Sequence, residues 1–124
     1  VIGSPPGNKT WTVGISSPIS DNGVMAKIEL NAGGLASSGD YERFFMHEGE
    51  RYSHILNPMT GWPSNGLRGV SIAANLCSVA GSVATIAMLK DESAAKTWLE
   101  DSGLAYVYMD SKEKIGSAGL NSGN

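Results

Sequence analysis

The sequence predicts an α+β fold, a mostly antiparallel sheet with two helices packed on one face. Two observations lead to it. Short runs that alternate apolar and polar residues recur through the chain, each closed by a turn rich in glycine, proline or asparagine. The period changes after Ala74: apolar residues then fall at helical spacing, and a second helical stretch follows before the alternation resumes. Six or seven strands, mostly in hairpins, with two helices inserted late, make a sheet covered on one side. No internal repeat or long linker divides the 124 residues, so a single domain over residues 1–124 is expected.

The elements follow in order. Gly3, Pro5, Pro6 and Gly7 make the first ten residues a loop. Trp11 to Ile15 alternates as a strand. Asn22-Gly23 is a turn signal, because both residues tolerate positive φ, and Val24 to Leu30 alternates again as an antiparallel neighbour. Asn31 to Gly34 is a break. Leu35 to Phe45 reads as one strand bent at Ser38-Gly39. Glu48-Gly49 turns the chain into a returning strand, Glu50 to Leu56. Met59 to Leu67 is a loop, and Gly69 to Ala74 is a short apolar strand suited to the middle of a sheet.

Leu76, Val79, Ala80, Val83, Ile86, Ala87 and Lys90 then take helical spacing. The opposite face is also small or apolar, so this helix is expected to be buried, capped by Asn75 or Ser78. Asp91 or Ser93 starts the second helix, with Ala95, Trp98 and Leu99 inside and Gly103 at its end. Leu104 to Met109 is a strand, Asp110 to Glu113 a turn, and Lys114 to Leu120 a last strand. Asn121 to Asn124 is expected to fray.

Bulk composition excludes several classes. Apolar residues make up 41% and charged residues 17%, enough for a core and too little charge for a disordered chain. A net charge of −3 without a basic cluster argues against a nucleic-acid footprint. No apolar run approaches the ~20 residues that span a bilayer. Cys77 is the one cysteine, so no internal disulfide forms, and its apolar neighbours suggest a small buried side chain. There is no Cys/His metal spacing, P-loop or GxGxxG. Sixteen glycines point to many turns or to backbone brought close to a ligand.

Chemistry concentrates between Ser38 and Pro63. His54 fits two roles: a strand-end histidine bonded to backbone, or a general base, since its ordinary pKa leaves it neutral and proton-accepting at cellular pH. It leads into Asn57-Pro58-Met59-Thr60-Gly61, which is more special chemistry than a plain turn needs. Ser38-Gly39-Asp40-Tyr41 fits a glycine bend or a hydroxyl and amides facing an anion such as phosphate. His47, beside Glu48 and Gly49, reads as solvated surface. So do Asp40, Glu42, Glu48 and Glu50.

These words resemble those of the ApbE family of FAD:protein FMN transferases, also described as thiamine biosynthesis lipoproteins. The resemblance rests on Ala36-Ser-Ser-Gly-Asp-Tyr-Glu-Arg-Phe-Phe45 and Arg51-Tyr-Ser-His-Ile-Leu-Asn-Pro-Met-Thr-Gly-Trp-Pro63, then a Val-Ser-Ile strand and an alanine-rich helix. It runs from about Ile2 to Leu120 and covers the C-terminal half of the family's fold. It implies an enzyme that splits FAD and attaches FMN by a phosphoester to a threonine or serine of a partner flavoprotein, with Mg2+ assisting. It implies His54 as the catalytic histidine, and Ser38, Gly39 and Tyr41 on the flavin side. Pro58, Thr60 and Gly61 then hold the cofactor loop, and Asn57 replaces a common aspartate.

The family's metal site uses an aspartate and, four residues later, a threonine. Thr85 is present as that metal-binding residue, but Gly81 occupies the aspartate position, which predicts weakened Mg2+ binding. The alternative is therefore a non-catalytic, shortened ApbE-like protein that binds flavin or nucleotide weakly or serves a structural role. A homodimer is the expected way to cover apolar surface left by a half-length fold. Family members are commonly exported and anchored at the cell envelope, which this sequence does not itself indicate.

Overall fold

A computed structural model describes residues 1–7, 9–41 and 43–120. The antiparallel α+β expectation holds, as three small sheets and two helices. Among the described residues the strands are β1 (Trp11–Ser16), β2 (Val24–Leu30), β3 (Gly34–Gly39), β4 (Phe44–His47), β5 (Glu50–Ser53), β6 (Gly69–Ala74), β7 (Ala105–Met109) and β8 (Ile115–Ala118). The helices α1 (Cys77–Leu89) and α2 (Glu92–Ser102) lie between β6 and β7. The main sheet has the order β3-β6-β7-β8, while β1-β2 and β4-β5 are separate ribbons. Every pair is antiparallel.

The central strands explain the layering. On β6, Val70, Ile72 and Ala74 join the helix-side core, together with Tyr106 and Tyr108 of β7 and Ala80, Ala84, Ala87 and Met88 of α1. Side chains alternate across a strand, so Ala73 and Val107 face the other way. There they meet Ile15, Ile28 and Leu30 of the β1-β2 ribbon. The sheet thus has both helices on one face and a two-stranded ribbon on the other.

The helix ends are only partly as read. Asp91 caps α2, its carboxylate accepting from the Ala94 amide at 2.9 Å, and Gly103 ends the helix in the left-handed conformation. At α1, Leu76 occupies the cap position and no side chain caps it, so neither Asn75 nor Ser78 does this work. Nor is α1 buried all round. Only the side against β3, β6 and α2 is covered, and Leu76, Val79 and Ile86 remain 62%, 42% and 38% exposed. Cys77, the first residue of α1, is exposed rather than buried, with its Sγ 3.8 Å from the Leu35 carbonyl of β3.

The expected single strand Leu35 to Phe45 is two strands in different sheets. The chain leaves the sheet after Gly39, where the Asp40 amide donates to the Arg68 carbonyl at 3.1 Å. The strand expected from Glu50 to Leu56 ends at Ser53, and Leu56 keeps an isolated bridge to Pro63. The expectation for Asn121 to Asn124 falls outside the described residues.

Candidate functional site

The site forms where the end of β3 meets the open end of the β4-β5 hairpin. The hairpin register pairs His47 with Glu50 and Phe44 with Ser53, so one step further places Arg43 opposite His54. The Arg43 carbonyl accepts two hydrogen bonds from that residue, from the His54 amide at 3.0 Å and from ring Nδ1 at 3.1 Å. A carbonyl oxygen only accepts, so the proton of the neutral ring sits on Nδ1. Nε2 then keeps its lone pair, the state a general base requires. Of the two readings of His54, the strand-end histidine bonded to backbone is the one this geometry displays.

His54 lines a concavity of about 300 Å³ with Ser37, Ser38, Gly39, Tyr41 and Arg43. Ser38, Gly39, Tyr41 and His54, expected together, are brought together. Gly39 has a steric role: a Cβ there would lie 2.2 Å from Cε1 of Tyr41, so only glycine lets that ring fold back over the strand. The neighbouring Asp40 amide is used by Arg68, which removes it from any set of amides facing an anion. Ser37 is fixed by a 2.6 Å hydroxyl contact with Ser71 of β6.

Asp40 is not the solvated carboxylate expected. Its side chain is 15% exposed and lies 3.0 Å from Arg51 and 3.4 Å from Arg68, tying β3, β5 and the entry to β6 together. Glu48 and Glu50 are exposed, as is His47, whose Nε2 lies 3.9 Å from Glu48. Glu42 lies outside the described residues.

Pro58, Thr60 and Gly61 do not line the His54 pocket; they shape the turn after it. The Asn57 carbonyl accepts from the Gly61 amide at 2.8 Å, and its side-chain oxygen accepts from the Met59 amide at 2.9 Å. An aspartate oxygen makes the same bond, so Asn57 preserves the turn. The Thr60 hydroxyl accepts from the Trp62 amide at 3.2 Å, and Gly61 takes a φ of +73°. Thr60 instead borders a separate concavity with Asn57, Trp62 and Lys90.

Thr85 lies exposed on α1, one turn after Gly81. A Cβ at Gly81 would meet only Ala36 of β3, at 3.8 Å, so there is room for a side chain but no carboxylate in it. Among the described residues no group of three or more His, Cys, Asp or Glu converges on a cation position. Thr85 supplies one neutral oxygen, whereas Mg2+ favours anionic ones. The residues present therefore do not fit the family's metal.

A second polar cluster, far along the chain, is structural. Lys96 bridges Glu92 at 2.9 Å and Asp110 at 3.2 Å, and Glu92 also accepts from the Ser111 hydroxyl. The Ser111 and Lys96 bonds hold the Glu92 carboxyl below its ordinary range. This network fastens α2 to the turn between β7 and β8.

Arg43 and Ser37 escaped the sequence reading as pocket residues. The signal for Arg43 was available: a two-residue turn at Glu48-Gly49 fixes the register that sets it opposite His54.

The ApbE family profile matches residues 1–108. A protein of Klebsiella pneumoniae (strain 342) named FAD:protein FMN transferase is 34% identical over 110 residues, covering 87% of this chain and 31% of that protein. The Escherichia coli protein of the same name is 34% identical over 105 residues, covering 83% of this chain and 30% of its own length. The crystal structure of the ApbE protein from Thermotoga maritima superposes with a TM-score of 0.83 at 32% identity, covering 95% of this chain and 39% of that one. The flavin transferase ApbE of Vibrio cholerae gives 0.67 at 27% identity, covering 90% and 36%. The chain belongs to the ApbE family. It spans about a third of the length of the curated relatives it matches.

Proposed function

We propose that this chain carries the general-base part of a flavin transferase site, one that moves FMN from FAD to a threonine or serine hydroxyl of a partner protein. The observation that carries the reading is the Nδ1–H···O=C bond from His54 to Arg43 within the Ser38-Gly39-Tyr41 pocket. It leaves Nε2 to take the proton of the attacking hydroxyl. The hydroxyl oxygen forms the new ester bond to the phosphorus of the FMN half. The bond from that phosphorus to the bridging oxygen breaks, and AMP departs with the electron pair. His54 holds the released proton at Nε2. Ser37, Ser38 and Arg43 line the place where a phosphate would lie. The family's divalent cation would neutralise phosphate charge, but this chain's described residues do not provide its ligands, and no step here depends on it. Incubation with FAD, Mg2+ and a flavoprotein acceptor tests the reading. Flavin fluorescence should stay with the acceptor on a denaturing gel, and His54→Ala should abolish it. A wild-type chain that labels no acceptor would refute transfer.

Gly81 favours a second reading, in which the chain binds FAD weakly and does not transfer it. FAD titration with and without Mg2+ separates the two. Affinity indifferent to Mg2+ supports binding alone, and tight Mg2+-dependent affinity opposes it. Gly81→Asp then asks whether a carboxylate one turn before Thr85 restores a response to Mg2+. Self-association through the exposed Leu76, Val79 and Ile86 belongs to this second reading, and a monomer by sedimentation at micromolar concentration removes it.

A further inference from the structure

We infer that the Arg43 guanidinium is the anion-binding group of the His54 pocket and contacts a phosphate oxygen of a diphosphate ester. The name of the ester rests on the flavin reading, and the contact on the residues that line the pocket.

Arg43 lines the same concavity as His54, Ser37, Ser38, Gly39 and Tyr41. The other two arginines nearby are committed. Arg51 and Arg68 both pair with the Asp40 carboxylate, at 3.0 and 3.4 Å. The Arg43 guanidinium has no ion pair or hydrogen bond to another described residue. Among the described side chains named here, three guanidinium groups stand against one carboxylate, although the chain as a whole carries −3. A concavity with an arginine and serine hydroxyls in its wall suits an anion.

The position of Arg43 is also set by the base. Its carbonyl holds both the amide and the ring of His54, so its own backbone is fixed on the site. One residue thereby orients the imidazole with its main chain and offers charge with its side chain. A guanidinium meets phosphate oxygens with two parallel N–H donors, a geometry that lysine lacks. The volume of about 300 Å³ suits a diphosphate and its first substituents rather than a whole dinucleotide.

The experiment is calorimetric titration of the 124-residue chain with inorganic pyrophosphate, FAD and riboflavin, for wild type, Arg43→Gln and Arg43→Lys. Arg43 is exposed, so both variants should melt as wild type does. Arg43→Gln should weaken pyrophosphate by about tenfold or more, with a shallower salt dependence, and Arg43→Lys should recover part of the loss. Riboflavin, which has no phosphate, should not distinguish the three. Pyrophosphate binding unchanged in Arg43→Gln, or undetectable in wild type, would overturn the assignment. Arg43-dependent pyrophosphate binding without FAD binding would sink the flavin reading and leave the anion contact standing. FAD binding that ignores Arg43→Gln would do the reverse.

Discussion

Gly81 is the departure on which the two functional readings divide, and the structure says what a side chain there should do to the fold. Gly81 sits inside the 13-residue helix α1. A Cβ at this position would touch only the Ala36 methyl, at 3.8 Å, an ordinary contact distance. Gly81→Ala therefore adds a methyl without a clash. Removing an interior glycine contributes about 1 kcal/mol relative to alanine, and the new contact with β3 adds at most a fraction of a methylene's burial. The expected gain is about 1 kcal/mol, or a rise of about 4 °C in melting temperature for a chain of this size. Thermal unfolding followed by far-UV circular dichroism measures it. A fall in melting temperature would refute the reasoning, because it would mean α1 lies closer to β3 than the Ala36 contact indicates. The same result would then make Gly81→Asp uninformative about metal, since loss of packing would mask any gain of ligand.

Three other outcomes follow from named contacts. Leu99 is fully buried in the helix-side core, so Leu99→Ala should cost about 2–5 kcal/mol in chemical denaturation, with an unchanged midpoint contradicting the packing. The Glu92 carboxyl is held below its ordinary 4.5 by Ser111 and Lys96, so its contribution to stability is present above that value and lost as pH falls through the lower folded-state value. Glu92→Gln should accordingly flatten the acid limb of a stability-against-pH curve, and a limb of unchanged steepness would show the network to be inert. Cys77 is exposed, so a thiol reagent should label it in the native protein within the dead time of unfolding, whereas labelling only after denaturation would place it inside.

Much of the fold was legible because single elements carried local signals. The Glu48-Gly49 turn, whose two residues both take positive φ, and the helical spacing after Leu76 each gave the expected element, whereas the chain turns at Asn22-Gly23 without the positive φ expected of that pair. The expectations that failed depended on what packs against what. Leu35 to Phe45 looks like one strand, but Tyr41 folding over Gly39 and Asp40 engaging Arg51 and Arg68 divide it between two sheets. The α1 sequence is apolar on every side, and that pattern alone does not reveal that the rest of the described chain covers only one side. The site was legible as wording: Ser38, Gly39, Tyr41 and His54 do share a pocket. Its division of labour was not. Thr60 and Gly61 look chemical beside a histidine, yet their hydrogen bonds and backbone shape a turn. Arg43 looks like ordinary hairpin charge until the register sets it against His54.

The Arg43 carbonyl holds the His54 ring through Nδ1, and we propose that this leaves Nε2 to accept the proton of an attacking hydroxyl. Long-range 1H–15N correlation of the imidazole nitrogens reads this directly. At a pH where the ring is neutral, Nδ1 should be protonated and Nε2 bare, with the Nε2 resonance moving when FAD is added. A ring protonated at Nε2, or ring resonances indifferent to saturating FAD, would contradict it.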